Sequence, residues 1–234
     1  MKTVIIVSAF LFTIGLTLAG FFVGQGIIKS KTADTFVTVK GLSEREVQAD
    51  RAIWPVTFSV ASNELQDLKK TLEQQSRDLN SYFIRSGLKA TSISIGVPNI
   101  TDTKASYYGG NGYQPFRYIG KGKITIQTDD IPAINQAMSN ITELLGNGIV
   151  IEQDEYRNRI EYSYTKLNDI KPDMIREATE NARLAAEQFA SDANATIGSI
   201  RKASQGYFSI SDRDQNTPFI KNIRVVTTVE YYLE

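Results

Sequence analysis

The sequence predicts an α+β fold, with mostly antiparallel sheets packed with three helices and one N-terminal transmembrane helix ahead of them. Three observations carry this. Segments in which apolar residues alternate at period two follow one another directly, separated by turn residues. Three other stretches repeat apolar residues every three or four positions, the period of a helix. Ahead of them all, residues 3–28 read TVIIVSAFLFTIGLTLAGFFVGQGII and carry no formal charge.

As a helix rising about 1.5 Å per residue, that leading run would reach roughly 37 Å, more than a hydrocarbon core of about 30 Å. A cleaved secretory signal is the competing reading, because Thr17, Leu18 and Ala19 make a small-residue site before Gly20. Signal cores usually span about 7–15 residues, whereas apolarity here continues through Phe21, Phe22, Val23, Ile27 and Ile28. Length therefore favours an uncleaved anchor, and both readings export the remainder of the chain. Lys2 and the terminal amine on one flank balance Lys29 and Lys31 on the other, so charge gives no orientation. Gly20 with Gly24, and Gly15 with Ala19, are small-residue pairs that let neighbouring helices approach closely in lipid.

Residues 29–35 form a short polar linker, and residues 36–234 form the exported body, large enough for one domain or two small interlocked ones. Its first strand, FVTVKG, ends at Gly41; Ala49, Asp50 and Arg51 then lead into IWPVTFSV, where Trp54, Val56, Phe58 and Val60 share one face. Pro55 places that strand at an edge or at a bulge. Residues 63–86 form a helix buried along Leu65, Leu68, Leu72, Leu79 and Phe83 and ended by Gly87. Strands follow at 92–100, with Ile93, Ile95 and Val97 alternating, and at 120–128, with Ile124 and Ile126.

Between those two strands lies the turn-rich tract DTKASYYGGNGYQPFRY, a long hairpin tip with five aromatics: Tyr107, Tyr108, Tyr113, Phe116 and Tyr118. Aromatics on an exposed tip call for a partner, and a subunit contact competes with their folding back over their own sheet. A second helix at 130–148 has Ile134, Met138, Ile141 and Leu145 on one face. Strand signals resume at 149–165, with Ile160, Tyr162 and Tyr164 alternating, and Glu152, Asp154 and Glu155 form the densest carboxylate group. That group lacks the ligand spacing of a calcium loop, so no metal site is expected. A third helix starts with Pro172 in its first turn and runs to about Thr196, with a stripe of Ile175, Ala178, Ala182, Ala185, Phe189 and Ala193 and a stop at Gly198. A strand at 199–209, a polar loop at 211–218 and a final strand at 223–234 complete the chain. That last strand has Ile223, Val225, Thr227, Val229, Tyr231 and Leu233 on one face.

Composition removes whole classes of chemistry. The 26 Lys and Arg balance the 26 Asp and Glu, leaving no basic footprint for nucleic acid. With no histidine and no cysteine, there is no thiolate nucleophile, no Ser-His-Asp relay, no disulfide and no Cys/His metal site within one chain. Glycine-rich phosphate loops and nucleophile elbows are absent too, so neither a cofactor nor a catalytic residue is assigned.

Three stretches together resemble the SIMPL domain family of bacterial exported proteins. They are VTVKG followed by Val47, Ala49, Asp50 and Ala52; Tyr113, Phe116, Arg117 and Tyr118 leading into KITIQTDD; and the helix bearing Arg176, Ala178, Ala182, Ala186 and Ala190 before Gly198. Ala49 stands where many relatives have proline. The resemblance covers residues 36 to 234 and implies an α+β domain that assembles into large homo-oligomers, ring- or channel-like in one relative. It also implies a link to the cell envelope and to oxidative stress, and it supplies no catalytic residues.

The expectation is therefore a single-pass protein of the inner membrane whose body lies on the periplasmic side. It would be non-enzymatic and would assemble with copies of itself through Tyr107, Tyr108, Tyr113, Phe116 and Tyr118. One alternative is an envelope hydrolase using carboxylates, with Asp50, Glu152 or Asp154 as acid and base. Another is a module that binds a small apolar ligand or an envelope protein.

Overall fold

The computed structural model describes residues 12–25, 35–105, 115–152 and 158–234. Residues 12–25 are helical (α1). Among the described residues no helix is long and apolar enough to cross a membrane. The described part of α1 would rise about 21 Å, short of a hydrocarbon core of about 30 Å. The expected span 3–28 lies partly outside the described residues.

Beyond α1 the element order is β1 (Phe36–Gln48), β2 (Arg51–Ser62), α2 (Leu65–Arg85), β3 (Ile93–Ile95), β4 (Asn99–Asp102), β5 (Tyr118–Thr128), α3 (Ile131–Ser139), β6 (Glu161–Ser163), α4 (Leu167–Asp192), β7 (Ile197–Gln205), β8 (Ser209–Asp212) and β9 (Ile220–Leu233). The fold is α+β with antiparallel pairing, as expected, but two 3-10 helices, Ala90–Ser92 and Ile141–Asn147, raise the helices of the body from three to five. The chain divides into two compact units, Met1–Arg45 with Asn168–Ser209 and Ile223–Glu234, and Glu46–Leu167 with Ile210–Asn222.

In the first unit, α4 lies on a sheet ordered β1-β9-β7. The buried side of α4 is Met174, Ala178, Ala182, Ala186 and Ala190, each four residues from the next. This is one step around the helix from the stripe expected through Ile175, Ala185 and Phe189, and Phe189 is exposed. The small side chains let the helix backbone settle on β1. A Cβ on Gly41 would stand 1.8 Å from the Ala178 carbonyl oxygen and 2.3 Å from the Ala182 nitrogen. Gly41 is therefore a packing position inside β1, not the end of a strand. Val39, Val229 and Tyr231 complete this core with Ala182 and Ala186.

Both ends of α4 differ from expectation. The helix begins five residues before Pro172, whose missing amide removes the bond to the carbonyl of exposed Asn168. It stops at Asp192, and Asn194 takes the left-handed conformation at φ 54° while the Ala195 amide donates to the Ala190 carbonyl. Gly198, expected as the stop, lies in β7.

In the second unit the sheet runs β3-β5-β2-β6, with β4 also on β5. Trp54, Val56 and Phe58 pair with Ile126, Ile124 and Gly122 and turn the predicted face inward. A Cβ on Gly122 would stand 2.2 Å from the Phe58 ring, so glycine makes room for that side chain. The core is closed by Leu68, Leu72, Leu79, Tyr82 and Phe83 of α2, together with Ile131, Ile134 and Ala137 of α3. The Tyr82 hydroxyl, raised in pKa by burial, donates to the Ala137 carbonyl at 2.7 Å. Helix α2 ends on Gly87 at φ 95°, as expected.

The edge or bulge expected at Pro55 is not found, because β2 lies inside the sheet between β5 and β6 and its register with β5 is unbroken; the proline instead falls in a gap of the second ladder. The Glu152 amide donates to the Thr57 carbonyl, so the ring nitrogen of Pro55, two residues earlier, points to the side of β2 away from β5. It stands there between the β6 pairing that ends at Ile53 and the bridge from Phe58 to Ile151. The expected strand 92–100 is instead split into β3 and β4 around Gly96 and Pro98, and Val97 is almost fully exposed. The second expected helix breaks after Ser139. The 3-10 turn buries Leu144 and leaves Met138 and Leu145, expected inside, exposed.

Close backbone approach at Gly41 makes it the position least able to accept a side chain. Gly41→Ala is expected to cost about 3 kcal/mol and to lower Tm by about 10 °C. Gly146→Ala, with open space around its Cβ, is expected to leave stability unchanged or slightly raised. Urea and thermal unfolding followed by circular dichroism check this, and equal effects of the two variants would show that α4 does not press on β1.

Candidate functional site

The expected interface residues fall on both sides of the described chain. Tyr107, Tyr108 and Tyr113 lie outside the described residues. The stem that carries their tract is well built: β4 and β5 pair up to Asp102 and Tyr118. Arg117 Nε and Nη2 grip the Asp102 carboxylate at 3.2 and 3.1 Å, and the Thr103 hydroxyl is 3.1 Å from the carbonyls of both Phe116 and Arg117. The ion pair lowers the pKa of Asp102 and raises that of Arg117. Phe116 is exposed, whereas Tyr118 is half-buried against the core with the Arg117 guanidinium 4.9 Å from its ring centre.

Around α1 the expected small residues meet no other described residue. Gly15, Gly20 and Gly24 have no atom within 4 Å of an added Cβ, and Ala19 is exposed.

Of the carboxylates singled out by sequence, the described Asp50 and Glu152 are committed to neighbours. Asp50 accepts from the Thr165 amide at 2.8 Å and from the Thr165 hydroxyl at 3.1 Å, the turn role open to an aspartate between strands. Glu152 pairs with Lys121 at 2.8 Å and accepts from the Ser59 hydroxyl. Asp154 and Glu155 lie outside the described residues. Among the described residues no cluster of acidic side chains could hold a metal ion.

The second unit carries a cleft that sequence reading did not single out. Its apolar half, about 450 Å³, has β2 as its base through Trp54, Pro55 and Val56. Met138, Ile141, Thr142 and Leu145 form one wall, and Ile149 and Ile151 form another. The break in the second helix shapes it, because the 3-10 turn sets exposed Leu145 and partly buried Ile141 beside exposed Met138. Asn158 anchors the opposite lip, donating to the Glu152 carbonyl at 2.7 Å.

A wider polar hollow of about 1140 Å³ adjoins it, sharing Trp54, Met138, Asn158 and Arg159 and reaching Tyr162, Asp212 and Asp214. Tyr162 donates to Asn135, packs edge-on to Phe219 at 6.1 Å, and has a pKa raised by burial. Asp214 sits in a nest of donors: the amides of Asn216 and Thr217 at 2.8 Å, the Thr217 hydroxyl, and Arg213 at 3.0 Å. The Thr217 hydroxyl, then Arg213, holds its pKa down at about 2. Asp212 is paired with the buried Lys221.

Antiparallel sheets and an alanine-striped helix make the described body an α+β protein, and its sequence holds no histidine or cysteine. Within that class the chain belongs to the SIMPL family, whose model, described as a protein of unknown function (DUF541), matches residues 37–231. No curated protein matches the chain.

Asp214 generates a pH prediction. Its folded pKa lies below the unfolded value of about 3.9, so its contribution to stability is complete above that value and is lost as pH falls toward 2. Asp214→Asn should lower stability at neutral pH and flatten the acid loss between about pH 4 and pH 2. Urea midpoints measured across that range test it. Parallel curves for wild type and variant would rule out the donor nest as the cause.

Proposed function

We propose that this is a non-enzymatic SIMPL protein, held at the membrane by its leading segment, whose body assembles outside the cytoplasm with copies of itself into a large ring or cage. Its role would be envelope integrity or stress tolerance. The observation that carries the reading is the clamped hairpin stem. Asp102, Thr103 and Arg117 fix both strands at the point where an aromatic-rich tract leaves the sheet, and Phe116 beside that point is exposed. A rigid stem limits the ordering entropy that a contact at its tip must overcome.

Other observations support the same reading. Among the described residues β7 pairs with β9 alone, so its second edge is open to a further strand. Helix α1 exposes Phe12, Leu16, Leu18, Phe21, Phe22 and Val23, an apolar surface suited to lipid. Asp50 and Glu152, the candidate acid and base of a hydrolase, are already held by Thr165 and by Lys121 and Ser59.

Replacing Tyr107, Tyr108 and Tyr113 together with serine is expected to shift the assembled form toward monomer in native mass spectrometry from mild detergent. Unchanged particle mass would count against the hairpin contact. The intact chain is expected to stay with membranes through alkaline carbonate extraction and to retain its first residues. Release into the supernatant, or a mature N-terminus at Gly20, would overturn the anchor.

A further inference from the structure

We infer that the cleft of the second unit is a binding site for an aliphatic carboxylate, with the chain lying against Trp54 and the carboxylate at Arg159. The inference is independent of self-assembly and stands on three features of the cleft.

The first is that its walls hold apolar side chains left uncovered by the fold. Met138 is 52% exposed and Leu145 59%, although both sit on helical turns whose other apolar residues, Ile134 and Leu144, are fully buried. With Ile141, Ile149 and Ile151 they face a hollow of about 450 Å³, within the range of about 300–1,000 Å³ typical of small-ligand sites. An aliphatic chain there would remove apolar surface from water on both sides, at about 0.8 kcal/mol per buried methylene.

The second is the distribution of charge at the rim. Each described carboxylate there has a near partner: Glu152 has Lys121 at 2.8 Å, Asp214 has Arg213 at 3.0 Å, and Asp212 has Lys221. Arg159 is different. Its ion pair, to Asp212, is 3.8 Å long, its side chain is 62% exposed, and it lines both the apolar hollow and the polar one. Among the described residues of the rim it is thus the cation positioned to take a new anion, and its planar fork matches a carboxylate. At the described carboxylates a cationic end group would have to displace Lys121, Arg213 or Lys221 from an existing pair.

The third is the polar collar between the two hollows. The side-chain amide of Asn158 is fixed between the Glu152 carbonyl at 2.7 Å and the Thr57 hydroxyl at 3.2 Å. The lip beside Arg159 is therefore preorganised, which lowers the cost of ordering a ligand.

Trp54 is the single tryptophan of the chain, so its emission reports on this cleft alone. The full-length protein in lipid nanodiscs would be titrated with 8-bromooctanoate and with 8-bromooctanol, whose bromine quenches an indole on contact. The expected result is saturable quenching by both probes, tighter for the carboxylate. Arg159→Ala should weaken the carboxylate about tenfold and leave the alcohol unchanged, since a charge-assisted hydrogen bond is lost. Leu145→Glu, at another exposed position, should abolish saturable quenching by both. Non-saturable quenching of the wild type, or quenching indifferent to Leu145→Glu, would overturn the site. A carboxylate affinity unaltered by Arg159→Ala would overturn the ligand class.

Discussion

The first unit depends on the approach of one helix backbone to one strand backbone. Gly41 leaves no space for a methyl group against Ala178 and Ala182, so α4 and β1 meet with almost no side-chain volume between them. Alanines spaced by four present little apolar area each, and dense packing of backbone atoms substitutes for large buried side chains. Such contact fixes position closely, because neither surface has a flexible side chain to yield. Polar bonds beside it hold the register: Asn181 donates to the Leu42 carbonyl at 2.8 Å, and the Ser43 hydroxyl donates to Glu177 at 3.0 Å. With β1 placed, β9 and then β7 follow through the sheet ladder. The second unit uses the same device at smaller scale, where Gly122 admits the ring of Phe58.

Much of this architecture is legible in the chain, and the misreadings share a cause. Alternation found the buried faces of β2, β5 and β9, and Gly87 marked the end of α2, because those signals are local. Gly41 was misread because a glycine that ends a strand and one pressed by a helix look alike until the helix is placed. For α4 the apolar residues Ile175 and Phe189 pulled the expected stripe sideways, whereas the strict four-residue spacing of Ala178, Ala182, Ala186 and Ala190 was the better signal. Small size, not hydrophobicity, selected the buried side. In the second helix, Asn140 ends the α turn, and the tighter 3-10 period rotates Leu145 out and Leu144 in.

The cleft was hidden for a related reason. Met138, Ile141 and Leu145 carry a core-like period, so sequence reading assigned them to the interior, and only the break in the helix turns them into a wall. Arg159 and Asn158 carry no motif, and their role comes from contacts with residues distant in the chain, such as Thr57 and Asp212. Asp50 was legible in kind, since its turn role was weighed beside the catalytic one. Its partner Thr165 lies 115 residues away and could not be named.

Composition and structure converge on one functional constraint, which concerns protons. Without histidine or cysteine, no side chain of the chain titrates near neutrality by its ordinary value. The environment moves the perturbed groups further from neutrality. Arg117 and the Thr217 hydroxyl lower the carboxyls of Asp102 and Asp214, Asp102 and Asp214 raise Arg117 and Arg213, and burial raises Tyr82 and Tyr162. The Asp102–Arg117 pair on the hairpin stem and the Asp214–Arg213 pair therefore keep their charges from mildly acid to mildly alkaline conditions. Contacts built on the Asp102–Arg117 pair would persist across that range.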